Sequence, residues 1–101
     1  MNNAAMAIQV LPQETDTEKL IKIVDAAIAE IKASGLNYEV GSFETTIEGN
    51  LDELVALIPA IQQACVAAGA EMLSNYIKLS YAPEKHLLTT DEKLQKYRNN
   101  D

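Results

Sequence analysis

Two kinds of hydrophobic spacing follow one another along the chain, and their order predicts its secondary structure. Residues 4–11 are apolar apart from Gln9, and Pro12, which cannot donate to a β-ladder, closes this first predicted strand. Residues 15–18 then carry a capping-box signal. Apolar side chains recur after them at three- and four-residue steps up to Gly35, the spacing of an amphipathic helix.

The middle of the chain predicts a hairpin and a second helix. Residues 36–40 alternate apolar and polar side chains, the Gly-Ser pair at 41–42 favours a turn, and residues 43–48 suit a pleated surface. A second apolar stripe with helical spacing runs from Asn50 to near Gly69.

The last third of the chain completes the predicted fold. Residues 71–81 alternate as a fourth strand, and residues 82–101 predict a loop with a short helix over 90–98. The order β-α-β-β-α-β, with two right-handed crossovers joined by a hairpin, predicts an α+β ferredoxin-like sandwich in a single domain, residues 1–101. Its four-stranded antiparallel sheet carries both main helices on one face.

The other face of this sheet is then left without helices. Alternation along the strands assigns seven side chains to this open face, although a slip of one residue would exchange the faces. They are Ala5, Ala7, Gln9, Thr46, Glu48, Tyr76 and Lys78. Small residues here leave room for a partner or ligand against the sheet.

Composition narrows the classes of partner. A chain of 101 residues gains stability by pairing with copies of itself, so a homodimer or a dimer of dimers is expected. The net charge of −7 repels phosphate backbones and anionic membrane surfaces, which disfavours nucleic acid and membrane partners. No export signal or membrane span is recognisable, so we expect a cytoplasmic protein.

The sequence offers no assembled catalytic or metal site. Cys65 stands alone among apolar residues and is predicted to be a small buried side chain. His86 is the single histidine, so a zinc site or a Ser-His-Asp arrangement would lack parts. We therefore expect no enzyme and no cofactor.

Hydroxyl and carboxylate groups concentrate where the second hairpin strand ends. Thr45, Thr46 and Glu48 precede Gly49, and a carboxylate at this place can accept hydrogen bonds from an amino group or stabilise a cation. The alternative is structural: threonines favour strands, glycine permits the turn, and Glu48 is solvated or pairs with Lys78.

Aromatic side chains lie on both sides of the predicted hairpin turn. Tyr38 and Phe43 could stack on a planar heterocycle or lie over a cation, as could Tyr76. They could equally fill the core or an interface.

Several segments together resemble the YkoF-like thiamine-binding family of small ferredoxin-like proteins. The most specific is the Thr-x-x-Glu-Gly run at Thr45, Glu48 and Gly49. The others are residues 8–12, 34–41, 43–45, 76–79 and 91–97, so the resemblance covers nearly the whole chain. Beyond the fourth strand, at residues 81–83, the chain lacks the basic residue that many members carry.

This resemblance implies binding of thiamine or its hydroxymethylpyrimidine part, without chemistry on it, and assembly into homotetramers through the sheets. On that reading Glu48 accepts from the exocyclic amine or faces the cation, Thr45 and Thr46 bond the ring, and Tyr38 or Phe43 forms a wall. Two other hypotheses stay open. One is a structural or regulatory homo-oligomeric module without a ligand, and the other is an enzyme acting on a small heterocycle.

Overall fold

The computed structural model describes residues 2–84 together with 94, 95 and 97. Its elements are β1 (Ala4–Pro12), α1 (Thr17–Ala33), β2 (Asn37–Val40), β3 (Thr45–Gly49), α2 (Leu51–Ala67) and β4 (Leu73–Tyr81). The strands form one antiparallel sheet in the order β2-β3-β1-β4. The predicted β-α-β-β-α-β sandwich is thereby confirmed, whereas the predicted C-terminal helix falls largely outside the described residues.

Both helices begin where the sequence provides a cap. Asp16 accepts hydrogen bonds at its side chain from the backbone N–H groups of Glu18 and Lys19, at 2.9 and 3.2 Å. At the start of α2, the backbone N–H of Asn50 donates to Glu53 Oε1 at 3.2 Å. These contacts satisfy N–H groups that have no partner inside the helix. In the described part of the chain, no helix is long and apolar enough to span a membrane.

β1 runs one residue further than predicted, through Pro12. The ladder between β1 and β4 is extended by hydrogen bonds from Gln13 N to Met72 O and from Ala82 N to Asn3 O. The backbone N–H and C=O groups of odd-numbered residues in β1 therefore bond to β4. Those of even-numbered residues point towards β3. Because Pro12 is even-numbered and lies beyond the last pair with β3, its missing N–H removes no ladder bond.

Strand register sends alternate residues of β1 into the core. Met6 and Ile8 lie opposite Ile47 and Thr45 of β3, on the face that carries the helices. Side chains from the sheet and both helices are buried there together. The largest fully buried ones are Met6, Ile8, Ile23, Ile31, Ile47, Leu54, Ile61 and Cys65.

The other set of alternating residues forms the open face, as the sequence predicted. Ala5 lies opposite Glu48, and Ala7 lies between Thr46 and Lys78 on the two neighbouring strands. In an antiparallel pair, residues directly opposite share a face. Further along β1, Gln9 lies opposite Tyr76, which completes the seven predicted side chains.

The described ion pair of Lys78 reaches diagonally across this face. Its Nζ lies 3.5 Å from Oε1 of Glu44, and the lysine side chain is 79% exposed. An exposed pair of this kind contributes little to stability. Lys78 thus has a carboxylate partner in Glu44, besides the Glu48 that the sequence analysis considered.

Cys65 is fully buried, as predicted, and its Sγ lies 3.8 Å from the carbonyl oxygen of Ile23. Burial raises the pKa of the Cys65 thiol, since a thiolate there would lose its hydration. A thiol held neutral is a poor nucleophile. Cys65 thus links α2 to α1 as a core side chain.

This burial predicts a dependence of stability on pH. Because the folded-state pKa is raised, the stabilisation is complete below the unfolded thiol's pKa, about 8.5, and is lost as pH rises toward the folded value. The free energy of unfolding should fall between about pH 8 and pH 10 by up to about 1.4 kcal/mol per pH unit more than in Cys65→Ala. Urea denaturation of both proteins measures the difference, and parallel pH profiles would contradict it.

Candidate functional site

A cavity of about 400 Å³ opens between α1 and the β2–β3 hairpin. Three segments line it: residues 8–10 of β1, one face of α1 between residues 24 and 31, and residues 40–45 of the hairpin. Apolar side chains form most of the wall, and a few polar groups interrupt it. This volume and this mixture are typical of sites for small molecules.

The hairpin turn shapes the mouth of the cavity. Val40 and Thr45 are the last paired residues, and the turn between them closes through a hydrogen bond from Gly41 N to Glu44 O at 2.9 Å. A Cβ on Gly41 would lie 2.8 Å from that same carbonyl oxygen. Only glycine therefore fits the turn in this form, which presents Phe43 at its tip.

Two of the predicted site residues meet at this cavity. Thr45 is buried, lies opposite Ile8 on the helix-bearing face and is one of the residues that line the cavity. Phe43 is 83% exposed, which is unusual for a large aromatic side chain unless a partner or ligand covers it.

Asp25 of α1 adds a carboxylate that the sequence reasoning missed. It follows Val24 at the border of the helix's apolar stripe, where an acidic residue usually means a solvated face. One feature of the sequence could have identified Asp25. It lies three residues before Ile28, so the two side chains are neighbours on the helix surface, and Ile28 also lines the cavity. No lysine or arginine occurs among the described lining residues, so the cavity favours a neutral or cationic guest.

Thr46 and Glu48 lie elsewhere, on the open face of the sheet. Glu48 is only 6% exposed and is not a free carboxylate, since it already takes part in an interaction within the chain. It lies between Ala5 on β1 and Asn37 on β2. A ligand at Glu48 would have to exchange an existing contact for its own.

Tyr38 and Gly49 have clear packing roles. Tyr38 lies opposite Ile47 and is half-buried against the hydrophobic core. A Cβ on Gly49 would come within 3.3 Å of both methyl groups of Leu36 and 3.6 Å of Leu54 Cδ2. The glycine of the Thr-x-x-Glu-Gly run therefore allows close packing at the end of β3.

The structure thus divides the five predicted site residues between two faces. Phe43 and Thr45 share the cavity, Tyr38 packs on the core beneath the helices, and Thr46 and Glu48 face the other way. One small molecule bound to one copy of the chain cannot lie against both faces. Among the described residues, no group of histidine, cysteine and acidic side chains is arranged to hold a metal ion.

Comparison with known families supports the resemblance expected from the sequence. The model of the family described as thiamine-binding protein matches residues 6–98. A UPF0045 protein of Clostridium perfringens is 36% identical over 98 residues, which span 97% of this chain and all of the relative. The predicted membership of a thiamine-binding family is confirmed.

Solved structures of similar proteins share the fold. A Bacillus cereus protein described as a domain of unknown function, DUF77, has a TM-score of 0.85 and 44% identity, with 98% of this chain and 94% of that one covered. A Thermotoga maritima protein, described as a candidate for thiamine biosynthesis or salvage, has a TM-score of 0.81 and 27% identity. The match covers 95% of this chain and 99% of that one.

The close approach at Gly41 yields a prediction about the hairpin. In Gly41→Ala the new methyl group collides with the Glu44 carbonyl, so the turn must open, at a cost of about 1–3 kcal/mol in the free energy of unfolding. Urea denaturation measures the loss. Ser42→Ala in the same turn is the control and should stay within about 0.5 kcal/mol of the parent. Equal stability of both variants would contradict the proposed constraint.

Proposed function

The chain belongs to the thiamine-binding protein family, and we propose that it binds thiamine or a related hydroxymethylpyrimidine compound without changing it chemically. The family is named for binding and not for a reaction. The observation that carries the proposal is the cavity beside the hairpin, which combines an apolar wall with a hydroxyl, an exposed aromatic ring and a carboxylate.

The chemistry of thiamine matches this combination. Its aminopyrimidine is flat and forms hydrogen bonds at its edge, while its thiazolium ring carries a positive charge. A flat ring gains from an aromatic wall and apolar neighbours, and a cation gains from a nearby carboxylate. The described lining includes no basic side chain that would repel the thiazolium.

Each lining group then has a role. We propose that the hydroxyl of Thr45 forms a hydrogen bond with the edge of the pyrimidine and that the ring of Phe43 stacks on the ligand. The carboxylate of Asp25 then stabilises the positive charge of the thiazolium. The description of the Thermotoga maritima relative in terms of thiamine biosynthesis or salvage supports the same class of ligand.

The open face is the second place at which this ligand could bind. Ala5 and Ala7 leave a shallow surface beside Thr46 and Glu48, to which the specific Thr-x-x-Glu-Gly resemblance also points. In that arrangement Glu48 accepts from the exocyclic amine and Thr46 bonds the ring, as the sequence predicted. Because Glu48 is already engaged, we favour the cavity. Tyr38 contacts the ligand in neither arrangement and contributes only by packing against the hydrophobic core.

We further propose that the protein acts as a homo-oligomer, a dimer or a homotetramer, in the cytoplasm. Several large apolar side chains are exposed on β4 and α2, which is expected of a surface covered by a partner. The same observation favours a second function, a structural or regulatory module whose surfaces serve assembly alone. Ligand binding separates the two functions.

Binding is tested by titration calorimetry with thiamine and with hydroxymethylpyrimidine. We expect saturable heat with at least one of them. At a free ligand concentration of about 100 times Kd, the free energy of unfolding should rise by roughly 2.7 kcal/mol. An absence of both heat and thermal shift at millimolar concentrations of either compound would contradict the binding function and favour the assembly module.

Variants on the two faces locate the ligand. Asp25→Asn and Thr45→Val remove a charge and a hydroxyl at nearly constant volume, and each should weaken thiamine binding by about tenfold, since one such interaction contributes about 1.5 kcal/mol. Glu48→Gln and Thr46→Val are the matched controls on the open face and should leave Kd unchanged. The reverse pattern would contradict the cavity and assign the ligand to the open face. Glu48→Ala adds a check, because a role in assembly would alter the oligomer.

A further inference from the structure

The cavity beside the hairpin has two acidic residues in its wall and no basic one among its described lining residues. Asp25 belongs to α1, and Glu44 belongs to the hairpin turn. The carboxylate of Asp25 is exposed and makes no hydrogen bond or ion pair with another described residue. Its negative charge is therefore available to a guest in the cavity.

Glu44 keeps part of its negative charge as well. Its Oε1 lies 3.5 Å from Nζ of Lys78, and the side chains of the lysine and the glutamate are 79% and 37% exposed. Solvent screens an exposed pair of this kind, so the lysine neutralises the carboxylate only in part. Lys78 is not one of the lining residues, and neither are the lysines of α1, which are Lys19, Lys22 and Lys32.

The backbone around the cavity offers no helix N-terminus to an anion. α1 contributes residues between 24 and 31, beyond its first turn, and Ile31 lies in its last turn, where the helix dipole is negative. No residue of α2 belongs to the wall. Phosphate groups in proteins are commonly held by basic side chains or by the N–H groups at a helix start. Within the described residues, the wall of this cavity has neither.

We propose that the cavity selects its ligand by charge, accepting unphosphorylated thiamine and rejecting its phosphate esters. This selectivity rests on the proposed function and adds the phosphorylation state of the ligand to it. A phosphate monoester adds about 1.5 to 2 negative charges at neutral pH. Asp25, Glu44 and the net charge of −7 repel these charges, whereas they attract the thiazolium cation. The reactions that supply or consume such a ligand are then hydrolysis of a phosphate ester and phosphoryl transfer to the free alcohol.

Calorimetry with thiamine and thiamine monophosphate tests this selectivity. At an ionic strength of about 0.01 M, where charges act over about 30 Å, the monophosphate should bind at least about tenfold more weakly than thiamine. At about 1 M the Debye length is about 3 Å, and the ratio of the two Kd values should fall to about threefold or less. A ratio that does not change with salt would assign the exclusion to shape and overturn selection by charge.

Charge variants at about 0.1 M ionic strength, where the Debye length is about 10 Å, identify the residues responsible. Asp25→Lys should lower the ratio of the monophosphate Kd to the thiamine Kd by about tenfold, since lysine repels the cation and attracts the ester. Glu71→Lys makes the same change in net charge at an exposed residue outside the lining, and should leave the ratio within about twofold. Equal effects of both variants would mean that net charge alone acts, which would overturn selection by the cavity.

The two partners of the ion pair should change the ratio in opposite directions. Glu44→Gln removes a carboxylate from the wall and releases the ammonium group of Lys78, so the ratio should fall by about threefold. Lys78→Met leaves the carboxylate of Glu44 without this cation, so the ratio should rise by about threefold. Changes in the same direction would contradict a role for the charge of Glu44.

The outcomes separate this selectivity from the proposed function. Thiamine binding together with equal or tighter binding of the monophosphate would overturn the selectivity and leave the thiamine site standing. Binding of neither compound would refute both. Circular dichroism should show every variant folded; if Asp25→Lys does not fold, Asp25→Asn replaces it and should lower the ratio by about threefold.

Discussion

The antiparallel register of β1 with its two neighbours is the constraint on which the rest of the structure depends. Because side chains alternate along a strand, a shift of one residue would carry Met6 and Ile8 out of the core and Ala5 and Ala7 into it. Loss of that burial would cost several kcal/mol, a large share of the stability of a small domain. The register therefore also decides which polar groups face the helices.

The alternation of apolar and polar side chains along the strands made the fold and the two faces of the sheet predictable. The same alternation shows why the grouping of the five predicted site residues was not predictable. Thr45 and Thr46 are neighbours in sequence and on opposite faces in space, so the hydroxyls that appear to form one site belong to two. The cavity itself comes from the spacing between α1 and a hairpin turn. No local pattern encodes that distance, which explains why Asp25 was missed while Phe43 was recognised.

Both sides of the sheet nevertheless have features that a stable monomer does not need. Glu48 is a nearly buried carboxylate on the face without helices, and burial of a charge is costly unless other groups compensate it. Phe43 exposes a large ring at the tip of a turn that only glycine at residue 41 permits. Glu48 already has its compensating interaction within the chain, whereas the exposed ring of Phe43 would gain from a ligand that covers it.

The candidate cavity and the exposed apolar residues of β4 occupy different parts of this architecture. The cavity lies beside the hairpin at the β2 end of the sheet, whereas β4, with Ile77, Leu79 and Tyr81 exposed, forms the opposite edge. A copy of the chain that covered β4 would therefore leave the cavity open.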